Sequence, residues 1–568
     1  MENSNSHKYN HYVTYFWLMK QFKITPTMVQ TGGAGKKKWT TFQHNGVIFP
    51  PEYVPHNVPL IYNNEKIQLS PDAEEIATLY SRYTDSEYIK NKVFKKNFWN
   101  GWKSILGKNN IIQSLDLCDF SLIYQHVLRE KEKLKNISKE EKELNKKERE
   151  EKESKYKTAY VDGKPQPVGN YRVEPPGIFI GRGCHPKLGQ IKKRIYPEDI
   201  TLNLSKDASV PEPPEGHKWG NIIHDSDVEW LASWKDDISG KTKYVWLGAH
   251  SDLKAEGDKN KYEKARKLKK NIKRIREENN KNLLSNNLAT RQIATALYFV
   301  DNLALRVGNE KGEDEADTVG VTSLRSEHIK LLDNNKVQLD FLGKDSIRYQ
   351  NTVEVPDQIY KNLIEFMSNK DRGDVLFDKI NSNDLNKYLQ SFMPELSAKV
   401  FRTYNASHLF QKELNKITKK YDDLDTPNKI NILLDEFNRA NAAVALLCNH
   451  QKNVSKSFDD QMDKINEQIK GIKKKIEDIK KKEDIKKNVK KKEKIEKLKS
   501  NIEKLKIKKE LKIEMKNVSL GTSKINYLDP RITICFLRRH SLPIDKIFSK
   551  QLQDKFKWAF DVPDDWQF

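Results

Sequence analysis

QMDKINEQIKGIKKKIEDIKKKEDIKKNVKKKEKIEKLKSNIEKLKIKKE, residues 461–510, is almost wholly Lys, Glu and Ile. Ile465, Ile469, Ile472, Ile476 and Ile479 step by fours and threes, and so do Ile495, Leu498, Ile502 and Leu505. That spacing lays one apolar stripe along each of two helices, and a polar stretch around Lys480–Lys494 breaks the register between them. Two arms separated by a slip predict an antiparallel coiled-coil hairpin from about Val454 to Lys516. On either side the composition returns to that of ordinary globular chain. The hairpin therefore divides a long body from a short terminal piece, 517–568.

Working back through the body, Leu385–His450 reads as a run of helices. Lys336–Leu342 and Ser346–Val355 read as strands around the turn Gly343-Lys344-Asp345. Ala289–Leu305 is the clearest globular helix, with Ile293, Ala296, Leu297, Val300, Leu303 and Ala304 on one face and Gly308 as its stop. Tyr160–His250 is rich in Gly, Pro and Trp and reads as strands and loops. The charge run Arg129–Lys157 predicts a solvated helix or helix pair from its interspersed Glu and Lys. Trp39–Asp119 is mixed and aromatic-rich, with GVIFPPEYVP (46–55) as a loop or edge strand. Residues 1–38 show no periodicity and are expected to be a short disordered tail, or an incorrect start to the chain.

At 568 residues the chain is long enough for several domains, and 10% aromatics with ten Trp imply packed cores. The mean hydropathy of −0.82 then reflects charge-rich additions to globular parts. A net charge of +23 attracts polyanions, although a bias toward Lys, Asn and Ile throughout the chain could produce the same excess. Cys118, Cys184, Cys448 and Cys535 lie far apart, which argues against a zinc site or a disulfide framework and fits a reducing compartment. No apolar run reaches the roughly 20 residues of a membrane span. Tyr12–Met19 is apolar but too short, so neither signal peptide nor anchor is expected. TGGAGKKKW (31–39) fails as a nucleotide loop, because Gln30 stands where the first Gly belongs and Lys37 where Ser or Thr should bind magnesium. With no metalloprotease, calcium-loop or nucleophile-elbow motif either, nothing makes ATP or a metal necessary.

Phosphodiester transfer without a metal requires an in-line nucleophile and fixed cations for the non-bridging oxygens. Arg suits the second task through its planar, permanently charged fork, and Tyr can hold a covalent phosphate. Composition cannot choose one Tyr from 22. The motifs RQIATALYFVDNLALRVGNEK (291–311), DFLGKDSIRY (340–349), AKVFRTYNAS (398–407), LCNHQ (447–451) and GTSKINYLDPRITICFLRRHSLPIDKIF (521–548) can. Together with EPPGIFIGRGCHPKLGQIKKRIYPEDI (174–200), GHKWG (216–220) and KYEKARKLKK (261–270), they strongly resemble the eukaryotic nuclear type IB topoisomerases, in the family order. The resemblance runs from Trp39 to Phe568.

The resemblance implies a catalytic set of Arg306, Lys344, Arg402, His450 and Tyr527, all of the family's residue types. Arg306 is expected to close an apolar-faced helix, Lys344 to sit at a hairpin turn, and His450 to follow a helix whose negative end favours imidazolium. Implied DNA contacts are Arg182, Lys192, Trp230, Lys243, Tyr244, Lys261, Asn309, Lys311, Thr318, Asp345, Asn386, Ser397, Ala398, Lys399 and Asn526, mostly to phosphates. Trp230 reads equally well as a core residue. Arg182, Asp345 and Asn526 match positions where inhibitors of the camptothecin type contact the family's cleaved complex.

The architecture implied is an α+β multidomain clamp on double-stranded DNA. A tail, 1–38, precedes a DNA-binding core of cap subdomains, 39–251; a largely helical catalytic subdomain, 252–453, follows. The coiled-coil linker is 454–516 and a small helical C-terminal domain, 517–568, carries Tyr527. The expected activity relaxes supercoiled DNA through a 3′-phosphotyrosine with neither ATP nor metal, as a monomer in the nucleus beside replication or transcription machinery. The sequence departs from the family in its short N-terminal region, in Ile180 and Cys184 where Arg and Asn are usual, and in shorter heptad arms. Nuclear import would then fall to internal basic clusters such as KKNVKKKEK (486–494). A tyrosine recombinase-like strand transferase shares the chemistry, and a non-catalytic nucleic-acid-binding scaffold is the alternative of another class.

Overall fold

The computed structural model describes residues 37–309, 312, 315–422, 428–452, 454–455, 457–481 and 489–568. The expected tail, apart from its last two residues, lies outside the described residues, as do Lys311 and residues 482–488 of the polar stretch between the arms. The chain is a mixed α/β protein with several small sheets.

Two cores organise the first 250 residues. Phe94, Phe98 and Trp102 recur every fourth residue on the helix Lys92–Leu106, so they share one face and are fully buried. Asn91 caps this helix by accepting from Val93 and Phe94 N–H groups. The stripe packs on Tyr80 of the helix Pro71–Ser81, with the Tyr80 and Phe98 rings stacked at 3.9 Å. The second core lies between two sheets and contains Phe42, Leu202, Leu231 and Val245. One sheet pairs Phe42–His44, Thr158–Val161 and Lys164–Pro167; the other runs Asn221–Ile223, Thr201–Asn203, Trp230–Lys235, Thr242–Trp246. The expected charge run forms a helix pair, Ser121–Asn136 and Lys139–Ser154.

The third core is the largest. It is built on α1 (Asp252–Asn282), α2 (Leu288–Asn302), the antiparallel pair β1 (Lys336–Leu342) and β2 (Arg348–Glu354), α3 (Ala398–Tyr421) and α4 (Lys429–Leu447). Tyr527, Leu528, Ile532, Phe548, Phe556 and Phe568 belong to the same core. The segment beyond the hairpin thus shares its hydrophobic interior with the segment before it.

The hairpin arms are α5 (Phe458–Lys481) and α6 (Val489–Glu514). Lys512 donates to Gln461 at 2.6 Å and Lys509 to Asn466 at 2.7 Å, so the arms are antiparallel. Of the two apolar stripes, Ile465, Ile476 and Ile495 are buried and Ile469, Ile472, Ile479, Leu498, Ile502 and Leu505 are half-buried. The arm α6 leans on α4 through the ion pair Arg439–Glu514.

One helix end differs from expectation. Helix α2 stops at Asn302, before the predicted Leu305, because Ala304 adopts a left-handed conformation (φ 49°) that turns the chain inward. Gly308 is not the stop. Its φ of 86° and its approach to Gly320 serve a different purpose: a Cβ on Gly320 would meet the Gly308 nitrogen at 2.4 Å. Only paired glycines let the two backbones cross so closely.

Candidate active site

Arg306 is carried by the extended segment after α2, not by a helix end. Its carbonyl accepts the Val321 N–H at 2.9 Å beside the Gly308–Gly320 crossing, and its side chain is exposed. Lys344 occupies the turn between β1 and β2 as predicted. Asp345 and Ser346 there have φ of 67° and 56°, and this tight turn presents Lys344 outward.

Arg402 lies on α3 and is buried. Its Nη2 donates to the Cys448 carbonyl at 2.9 Å and its Nη1 to the Ala304 carbonyl. Its Nε is buried with no acceptor among the described residues. A guanidinium held by two carbonyls has no carboxylate partner there and is poised to take an anion as its remaining partner.

His450 follows α4, where Asn449 (φ 52°) takes the left-handed conformation that ends the helix. The His450 N–H reaches back to the Ala445 carbonyl at 2.8 Å, turning the ring into the site. Nδ1 lies 2.7 Å from Ser523 Oγ and Nε2 lies 3.5 Å from Arg402 Nη2. Burial first, then the Arg402 and Arg306 charges, lower its pKa to about 3. The expectation of an imidazolium is therefore corrected: desolvation and two guanidinium groups outweigh the helix end, and the ring is neutral at pH 7.

Tyr527 caps α7 (Leu520–Asn526), its N–H bonded to the Ser523 carbonyl at 2.9 Å. Its own carbonyl accepts from Ser407 Oγ on α3 at 2.8 Å. The ring is mostly buried, stacked on His450 with centroids 5.2 Å apart, and lies beneath the Arg402 guanidinium at 5.1 Å. Beyond it, Asp529 caps α8 (Pro530–Arg539) and receives Arg531 at 3.0 and 2.7 Å. Arg531 also reaches Glu263 of α1 at 2.6 Å and lies over Trp566 at 4.4 Å. These contacts bind the tyrosine's turn to the third core.

Arg306, Lys344, Arg402 and Tyr527 line a cleft of about 790 Å³, and His450 lines an adjoining pocket of about 140 Å³ with the same three cations. Of the expected DNA contacts, Arg182, Asn309, Thr318, Asp345, Ala398 and Lys399 line this cleft. Arg182 bonds Asp345 at 2.9 Å, joining the cap side to the β1–β2 turn. Asn526, exposed beside Tyr527, donates to the Thr522 carbonyl at 3.1 Å. Asn386 accepts the Ala398 N–H at 3.0 Å, and Ser397 begins α3 there.

Lys192 and Lys243 stand outside the cleft lining, both on Glu174, and burial with Lys243 lowers the Lys192 pKa to about 8. Trp230 is buried with its ring 5.4 Å from that of Tyr244. Lys261 is held by Asp258 at 3.1 Å. Ser407, Ser523, Asp529 and Arg531 were not anticipated; the Asp-Pro pair after Tyr527 was the available signal, as a helix start.

Residues 37–247 match the DNA-binding fragment of eukaryotic DNA topoisomerase I, 250–483 its catalytic core, and 499–568 the C-terminal topoisomerase domain. DNA topoisomerase 1 of Homo sapiens is 44% identical over 558 residues, covering 94% of this chain and 72% of its own. The chain belongs to the eukaryotic DNA topoisomerase I family. DNA topoisomerase 1 beta of Arabidopsis thaliana is 45% identical over 94% of the chain, and the chain spans about 60% of that relative's length. DNA topoisomerase 1 of Caenorhabditis elegans is 45% identical over 92% of the chain and 67% of its own. Within this topoisomerase I framework Arg306, Lys344, Arg402 and His450 lie in the catalytic-core match and Tyr527 in the C-terminal match. Among the described residues no helix is long and apolar enough to cross a membrane.

Proposed function

We propose that this protein is a type IB DNA topoisomerase whose nucleophile is Tyr527. The observation that carries the reading is the meeting of Tyr527 with Arg306, Lys344, Arg402 and His450 around one cleft, although they come from separate stretches of chain. Tyr527 attacks a backbone phosphate in line, its phenol proton leaving to water, and the bond to the 5′-oxygen breaks. Arg306, Arg402 and His450 bear on the non-bridging oxygens and Lys344 protonates the leaving 5′-oxygen. Rotation about the intact strand releases superhelical strain, and the 5′-hydroxyl then attacks the phosphotyrosine to reseal the strand. One phosphodiester is exchanged for another, so the energy for resealing stays in the enzyme–DNA bond and the cycle needs no ATP. The phosphoryl oxygens are served by fixed side-chain donors, and the reading assigns no step to a metal.

The architectural reading is a monomeric clamp, with 39–251 and 252–453 on opposite sides of double-stranded DNA, 454–516 as coiled-coil linker and 517–568 as nucleophile domain. The ion pairs Arg182–Asp345 and Lys241–Glu315, which bridge the two sides, support it. Arg182, Asn309, Lys399 and Asn526 are the phosphate or strand contacts best placed for the role, and the nucleus is the compartment in which it applies. Plasmid relaxation in EDTA without ATP tests the reading. Wild type should relax the plasmid and Tyr527→Phe should not; equal activity in the two, or none in wild type, would overturn it.

A further inference from the structure

Ser523 joins the His450 ring to the Tyr527 backbone. It lies on α7, one turn before Tyr527, and is fully buried. Its hydroxyl is 2.7 Å from His450 Nδ1 and its carbonyl accepts the Tyr527 N–H at 2.9 Å. The other imidazole nitrogen, Nε2, faces Arg402 Nη2 at 3.5 Å. A guanidinium only donates, so in the free protein Nε2 presents its lone pair and the ring proton sits on Nδ1, donated to Ser523 Oγ. Donation to a phosphate oxygen requires the opposite arrangement, with a proton on Nε2.

We propose that Ser523 is a positioning residue that holds the His450 ring through this change of protonation. When a phosphate engages Arg402, Nε2 takes a proton from water. Nδ1 then either keeps its proton, giving an imidazolium that donates to Ser523, or loses it to water, giving a neutral ring that accepts from Ser523. A hydroxyl serves both states by rotating about its C–O bond, whereas a carbonyl or carboxylate partner would fix one. Placing that hydroxyl on the helix that carries Tyr527 keeps donor and nucleophile in register. The inference rests on the proposed role of His450 at the scissile phosphate.

The test is single-turnover formation of the covalent adduct, using a duplex whose scissile strand ends shortly after the cleavage site so that the 5′-hydroxyl fragment diffuses away. Ser523→Ala should slow adduct formation by about 10- to 100-fold, as when another buried histidine loses the partner of its second nitrogen, while non-covalent DNA affinity stays at the wild-type level. Ser523→Thr, which keeps the hydroxyl, should recover most of the rate. In a His450→Gln background Ser523→Ala should add little. Should the alanine variant not fold, Ser523→Cys, similar in size but a weak hydrogen-bond partner, carries the same expectation. A wild-type rate in the variant lacking the hydroxyl, or the same slowing in the His450→Gln background, overturns the inference. A Tyr527→Phe protein that still forms adduct would instead overturn the topoisomerase reading itself.

Discussion

Arg402 and His450 show how far environment, rather than residue type, determines chemistry in this site. Arg402 spends two N–H groups on carbonyls, which supply dipoles but no neutralising charge, and keeps a buried Nε without an acceptor among the described residues. A lysine could supply the charge but not the fork. Arg402→Lys is expected to lower the cleavage rate by about 100-fold or more with smaller loss of DNA affinity, measured by single-turnover adduct formation beside a binding titration. His450 has its folded-state pKa lowered to about 3 from 6.5. As pH falls below 6.5 the unfolded chain takes up a proton there and the folded chain does not, so stability is lost through the window from 6.5 toward 3 and is unaffected above it. Chemical denaturation at pH 7 and pH 5 should therefore show a smaller acid-side loss for His450→Gln than for wild type. Equal losses would mean that the imidazole is charged in the fold. Tyr527, Lys344 and Arg402 were recognisable in their motifs, but the neutrality of His450 was not. It depends on Arg402, 48 positions away in the chain, and on burial that no local spacing reports.

Elements were legible where one local rule decides them. The heptad steps gave both hairpin arms, and the Gly-Lys-Asp turn between two alternating runs gave β1 and β2 with Lys344 between them. The end of α2 was not legible, because Ala304 in a left-handed conformation carries no sequence signal and Gly308 appeared to be the natural stop. The glycine instead lets the Arg306 strand pass against Gly320, and this crossing sets where Arg306 stands. A Cβ on Gly320 would lie 2.4 Å from Gly308 N and 2.8 Å from the Arg306 carbonyl, contacts that backbone cannot relieve by a side-chain shift. Gly320→Ala should displace Arg306 and lower the cleavage rate on the order of 100-fold; wild-type cleavage by this variant would show that the crossing does not position the arginine. The second element-level contact is the Asp529 cap of α8. Asp529 is fully buried and its charge is met by Arg531, itself flanked by Trp558 and Trp566. Arg531→Ala leaves that carboxylate unpaired and should cost about 3–5 kcal/mol, visible as a lowered denaturation midpoint. A midpoint within error of wild type would remove this pair from the account of how the tyrosine's turn is held.

At the scale of the whole molecule, the hairpin separates two segments in sequence that fold as one in space. The interior shared by α1–α4 and residues 527–568 explains how a tyrosine more than a hundred positions from Arg402 is held under its guanidinium. Composition could reveal the hairpin but not that shared interior, since packing between distant segments leaves no periodicity. Away from the covalent join, where Gln166 meets Asp252 and Glu229 meets Lys254, residues 39–251 reach 252–453 across the cleft through the largely exposed pairs Arg182–Asp345 and Lys241–Glu315, a kind of contact worth at most about 1 kcal/mol each. In the clamp proposed above, closure on duplex DNA would draw on the DNA itself, through phosphate contacts made by cations facing the cleft. Affinity should consequently fall steeply with salt, the slope of log K against log salt reporting the number of phosphates neutralised. Lys399, exposed at the start of α3 and lining the cleft, is one such cation. Lys399→Ala should weaken binding to unrelated duplexes by similar factors and reduce the salt slope by about 1. An unchanged slope would place Lys399 off the phosphate backbone, and weakening confined to one sequence would make it a base contact.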